Sequence, residues 1–165
     1  MGKESAYTSL NQIPAGFKKF EIGRRNLDVG GGKFNTATKY LKKHGTINLV
    51  LDPYNRSKLH NERILEMLPF QFINTITCLN VLNVIQDKGE RKETLQVIRD
   101  VVDEHLDYTD DCHPVVIFQF FEGTKSGKAS KTTSQTNMKT VDYIPEIQEM
   151  FPEWEVQRWS NFLIV

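Results

Sequence analysis

The chain has 165 residues, 21 Lys/Arg against 21 Asp/Glu, and 39% hydrophobic residues. That is one domain's worth of protein, apolar enough to bury a core without disulfides or metal and too apolar for a disordered tail. No apolar run approaches the ~20 residues of a membrane span, and the first residues lack the apolar stretch of a secretory signal. The expectation is a single cytoplasmic domain over residues 1–165 with no membrane partner. Cys78 and Cys112 form no C-x-x-C pair, so both are expected as reduced thiols.

The neutral total hides an asymmetry. Residues 1–60 carry 11 Lys/Arg against 4 Asp/Glu, whereas residues 61–122 carry 5 against 12. Lys125, Lys128, Lys131 and Lys139 then fall in a stretch without an acid. Two basic segments brought together would form an anion-attracting rim; left apart, they are ordinary solvated surface.

Residues 1–24, with Pro14, Gly16 and Gly23, read as an irregular or weakly helical lead-in. Residues 26–29 read as a short strand running into Gly30-Gly31-Gly32. A helix is expected over 35–44, with Ala37, Tyr40 and Leu41 on one face and Gly45 as its stop. A second strand over 47–51 must end at Asp52-Pro53, because Pro53 cannot continue a central ladder. A two-turn helix follows over 61–68, broken by Pro69, with at most a strand stub over 68–72.

The β-branched residues of 73–79 predict a strand. Leu95, Ile98, Val102 and Leu106 form the buried stripe of a long helix over 88–106, with Asp87 and Glu90 at capping-box spacing. Residues 114–121 are the most β-like run and read as a central strand. The basic loop over 122–140 is long enough to suggest a functional segment. A helix over 142–151 and two strands over 153–159 and 162–165, meeting at Ser160-Asn161, close the chain. Strands alternating with helices predict an α/β fold with a mostly parallel sheet.

The chemistry concentrates at Asp28-Val29-Gly30-Gly31-Gly32. Glycines at a strand-to-helix turn let the backbone approach a ligand at a positive helix end. The dinucleotide pattern G-x-G-x-x-G fails here, since its sixth position is Asn35. The run fits D-x-G-x-G instead, and Asp52 lies twenty residues beyond Gly32, at the end of the second strand. A carboxylate there can accept both ribose hydroxyls of an adenosine.

These residues resemble the class I S-adenosylmethionine-dependent methyltransferases over nearly the whole chain, from about residue 25 onward. Residues 28–32 are similar to that family's glycine loop, Asp52 to its ribose-binding acid, and residues 78–85 to the segment facing the methyl group. Residues 51–56 and 135–137 resemble segments of small bacterial and phage methyltransferase-like proteins. The resemblance implies a Rossmann-like sheet with an antiparallel C-terminal strand, shortened around the third strand. It implies S-adenosylmethionine as cofactor, methyl transfer to a small molecule or nucleic acid, and S-adenosylhomocysteine as product. The alternative is a cofactor-binding protein without transfer, which sequesters or cleaves the cofactor or serves as a scaffold.

Two DNA-methylase chemistries are missing. The amino-group motif (Asp/Asn/Ser)-Pro-Pro-aromatic is replaced by Asn80-Val81-Leu82-Asn83, and neither cysteine follows a proline. Asp52-Pro53-Tyr54 looks similar to that motif but ends the second strand, so it belongs to the ribose site.

Asn80 is the candidate beside the methyl group; its structural alternative is a capped strand end. Asp28, Gly30, Gly31, Gly32, Asp52, Pro53, Asn80 and Val81 are the cofactor-binding candidates, with Asp28 facing the amino group or serving as a turn acid. Tyr54, Arg56, Gln135 and Asn137 are candidates for the acceptor, against plain surface roles. His44, His60, His105 and His113 are scattered, so no metal is expected. The closing strands leave an edge, so monomer and homodimer both stay open.

Overall fold

Strand β1 (Arg25–Val29) is the centre from which the sheet grows in both directions. In the computed structural model, which describes residues 10–106, 113–123 and 135–165, the chain first adds β2 (Ile47–Leu51) on one side. It then crosses back over β1 to lay β3 (Thr75–Leu79) and β4 (Val115–Gln119) on the other. These four strands are parallel. A hairpin of β5 (Gln157–Trp159) and β6 (Phe162–Ile164) completes the order β2-β1-β3-β4-β6-β5, with β6 antiparallel to β4. The protein is thus α/β with a six-stranded, mostly parallel sheet and an antiparallel C-terminal pair.

Alternation along the strands sends side chains to two cores. Leu27, Val29, Ile76, Cys78, Val116 and Phe118 join one, which is covered by α3 (Lys58–Met67), α4 (Lys88–Leu106) and α5 (Ile144–Met150). Leu79, Ile117 and Phe162 join the other, with Phe17 of α1 (Gly16–Lys19) and Ala37 and Leu41 of α2 (Thr36–Lys43). Both faces are covered, as parallel sheets require. Among the described residues no helix is long and apolar enough to cross a membrane.

Three expectations change. The strand stub over 68–72 is a 3-10 turn, Leu68–Phe70, in which Pro69 offers no ladder donor and Phe70 is 85% exposed. Helix α3 starts earlier than the expected residue 61, because Ser57 caps it by accepting from His60 N at 3.2 Å. The long α4 has the expected bounds, with Asp87 Oδ1 accepting from Glu90 N at 2.9 Å, although Leu106 is only partly buried. Residues 140–143 form a 3-10 turn before α5, where a continuous helix from 142 was expected.

Arg91 joins three parts of the molecule. Its guanidinium makes a two-bonded pair with Glu146 of α5, at 2.9 and 2.7 Å, and donates to the carbonyls of Ile85 and Gln86 at 2.9 Å. The segment that leaves β3 is thereby tied to α4 and α5.

Candidate ligand-binding site

The crossover of the chain leaves a crevice at the carboxyl ends of β1 and β3, where the winding direction reverses. Ligands of open α/β sheets bind at such points. A cavity of about 440 Å³ lies here, within the size range of small-molecule sites.

Its floor is the glycine turn, with Asp28, Gly30, Gly31 and Gly32 on the wall. Gly30 has φ +75°, and a Cβ there would meet Val81 Cγ2 at 2.5 Å. A Cβ on Gly31 would meet Asp28 Oδ2 at 2.4 Å. Both positions therefore demand glycine, and the absent side chains make the cradle.

Leu79, Asn80, Val81 and Asn83 line the cavity from the end of β3. Asn80 adopts φ 59°, a conformation asparagine tolerates better than most residues, and its N–H donates to Gln119 O at 2.8 Å. Gln119 at the end of β4 and Phe120 and Phe121 just beyond it also contribute. The lead-in adds Leu10, Gln12 and Pro14, and Gly16 N donates to Gln119 Oε1 at 2.9 Å to hold it there. Among the described residues of the wall, Asp28 is the single charged group.

Asp28 stands at the end of a buried polar network. Thr75 Oγ1 donates to Asn26 Oδ1 at 2.8 Å, and Asn26 Nδ2 donates to Thr77 Oγ1 at 2.9 Å and to Asn48 Oδ1 at 2.7 Å. Thr77 Oγ1 in turn donates to Asp28 Oδ1 at 3.1 Å, and Asn48 Nδ2 to Asp28 Oδ2 at 3.4 Å. Burial pushes the Asp28 carboxyl up to about 6, against the pull of these two hydrogen bonds. Thr77→Val is expected to lower stability by about 1–3 kcal/mol and to raise the Asp28 carboxyl further. Urea unfolding and a carboxyl NMR titration check the two effects.

The structure gives Asp52 a different setting from an open ribose site. It is fully buried and not on the wall. Its Oδ2 accepts from Gly32 N and Asn55 Nδ2, each at 2.9 Å, and its Oδ1 from Tyr54 N at 3.1 Å and Asn55 N at 3.0 Å. These four donors use the carboxylate's acceptor positions. Asp52 thus fastens the glycine turn to the end of β2. Arg56 fastens it again, donating to the carbonyls of Gly32 at 2.7 Å and Phe34 at 3.2 Å and to Asn35 Oδ1 at 2.8 Å.

Of the candidate residues, the cavity wall gathers Asp28, Gly30, Gly31, Gly32, Asn80, Val81 and Gln135. Asp52, Pro53, Tyr54, Arg56 and Asn137 are not on it. Sequence reasoning missed Asn55, Gln119 and Asn83 as wall residues. The available signal for Asn83 was an amide inside the apolar run 81–85.

Cys78 is a buried free thiol whose ionisation burial suppresses, so it is no nucleophile. No group of three or more His, Cys, Asp or Glu able to hold a metal occurs among the described residues. Tyr7, Thr8, Ser9, Cys112, Lys125, Lys128 and Lys131 lie outside the described residues, and with them most of the second basic segment. Comparison with family models, curated proteins and solved structures found no match to this chain.

Proposed function

We propose that the chain is a class I S-adenosylmethionine-dependent methyltransferase whose cofactor sits in the cavity beside β1 and β3. The observation that carries this reading is the glycine cradle at the reversal point of the sheet, with the Asp28 carboxylate on its wall. The backbone of Gly30–Gly32 would hold the cofactor's methionine part, with Asp28 facing its ammonium group and Asn80 and Val81 beside the reacting carbon. When bound, the cofactor supplies an electrophilic methyl on a sulfonium. The protein's share is to align the acceptor and exclude water.

The ribose role expected of Asp52 requires hydroxyls to replace one of its present donors. The Asn55 side-chain amide is the replaceable one, since it lines the cavity while the other three donors are backbone N–H groups. A second reading, cofactor binding without transfer, is favoured by one observation: among the described residues, Asp28 is the single titratable group on the wall.

Titration calorimetry with S-adenosylhomocysteine tests the cofactor site. Micromolar binding is expected, weakened at least about tenfold in Gly31→Ala, whose Cβ takes the space beside Asp28. A thermal melt verifies that this variant is folded. No binding by the wild type overturns the proposal. Turnover of S-adenosylmethionine to S-adenosylhomocysteine with an acceptor separates transfer from binding alone.

A further inference from the structure

The charge asymmetry of the sequence becomes a difference between the two faces of the sheet. Helices α3, α4 and α5 carry nine Asp/Glu against six Lys/Arg. Every ion pair among the described residues has a member on these helices. The face covered by α1 and α2 is different. Lys18, Lys19, Lys39, Lys42 and Lys43 are exposed there, and none of them joins an ion pair among the described residues. Glu21 is the single exposed acid in residues 10–60, since Asp28 and Asp52 are buried.

This basic face also carries a fixed, open aromatic ring. Trp159, on the outermost strand β5, is 53% exposed. Phe20 meets its ring edge-on, with centroids 5.0 Å apart, and meets Phe162 in the same way at 4.9 Å. Lys19 Nζ lies 5.2 Å from the centroid of the Phe162 ring. The indole is therefore held from one side, beside a lysine, and open on the other.

The face borders the cavity. Trp159 precedes the wall residue Asn161 by two positions in the β5–β6 turn. Ala37 of α2 and Leu10, Gln12 and Pro14 ahead of α1 are on the same wall.

Uncompensated ammonium groups call for a polyanion, and an open ring beside them calls for a flat partner to stack on it. A single nucleic-acid strand supplies both, phosphates along its backbone and unpaired bases with free faces. A duplex hides its base faces in the stack. An anionic membrane suits the lysines but not the helices, because Phe17, Ala37 and Leu41 of α1 and α2 turn inward and leave no apolar stripe to insert.

We propose that the α1–α2 face and Trp159 bind single-stranded nucleic acid and bring one of its bases to the cavity as the methyl acceptor. Calling that base the methyl acceptor rests on the cofactor reading above; docking of the strand does not.

The test is fluorescence anisotropy, without cofactor, of a labelled mixed-sequence strand of about 20 nucleotides, as DNA and as RNA. The duplex of the same sequence and vesicles of phosphatidylcholine with phosphatidylserine are the comparisons. The expected result is binding to the single strand, tighter than to duplex or vesicles and falling steeply with salt. Lys18→Glu with Lys42→Glu should weaken it at least about tenfold and flatten the salt dependence. Arg63→Glu with Lys88→Glu, the same change of charge on the opposite face, should weaken it less than about threefold. Trp159→Ala should weaken it about tenfold with the salt dependence unchanged, and Trp159→Phe should keep most of the affinity. Thermal melts verify that each variant is folded.

Absence of binding by wild type overturns the inference, as does equal weakening by the two charge pairs, which would reflect net charge alone. Wild-type affinity in Trp159→Ala, or duplex bound as tightly as the single strand, removes the stacking and overturns it too. Tighter binding to the vesicles overturns it in favour of a membrane surface. S-adenosylhomocysteine is titrated into wild type separately. Failure there removes the cofactor reading and the name of acceptor, while the anisotropy decides the docking.

Discussion

An Asp28→Asn variant is expected to be more stable than the wild type at neutral pH and about equally stable near pH 4. Burial raises the Asp28 carboxyl in the folded protein from 3.8 to about 6. Between those values the folded protein keeps a proton that the unfolded chain has released. Stability from this group is therefore full below about pH 4, falls as pH rises to 6, and is level above it. The loss amounts to about 3 kcal/mol, at 1.36 kcal/mol for each pH unit. Asparagine has the same shape and no charge, so it escapes that loss. Urea unfolding of both proteins at pH 4 and pH 7.5 reads the difference directly. A difference that does not change with pH would mean that Asp28 titrates as an ordinary carboxyl. If the cavity binds a ligand carrying an ammonium or sulfonium, the same variant should bind it more weakly. A buried carboxylate kept at the expense of stability is common at functional sites.

Arg91→Met is expected to destabilise the protein by about 3–5 kcal/mol, because Glu146 loses its counter-ion while largely buried. The Arg91 and Glu146 side chains are 6% and 12% exposed, so solvent cannot take over the lost partner. The carbonyls of Ile85 and Gln86 lose donors in the same step. The double variant Arg91→Met with Glu146→Leu should recover most of the loss, since it removes the stranded charge. Equilibrium unfolding in urea measures both, and an equal loss in the double variant would show that packing dominates instead of charge. The single variant should also loosen the segment that carries Asn83, which amide exchange at residues 82–86 would register.

The parts of the fold that were legible in the sequence are those set by near neighbours. Helix α4 could be bounded from its apolar spacing and the Asp87 cap, both of which act within a few residues. The glycine turn was legible because its requirement is steric and lies at a strand end, although the contacts that enforce it, Val81 and Asp28, appear only in three dimensions. Asp52 shows where that reasoning stops. Its position after β2 was readable, but its partners include Gly32 N across a neighbouring strand end, and they turn an expected ligand contact into a fastening of the loop.

The sequence by itself determined the alternation of strands and helices, the place of the glycine turn and the closing hairpin, since local propensity and periodicity specify these. Only the tertiary structure decided the strand order, the burial that raises Asp28, and the meeting of Asn83 with Gln135 across 52 positions of chain. Long-range pairing and the exclusion of water belong to the whole packed sheet, and no short stretch of sequence carries them.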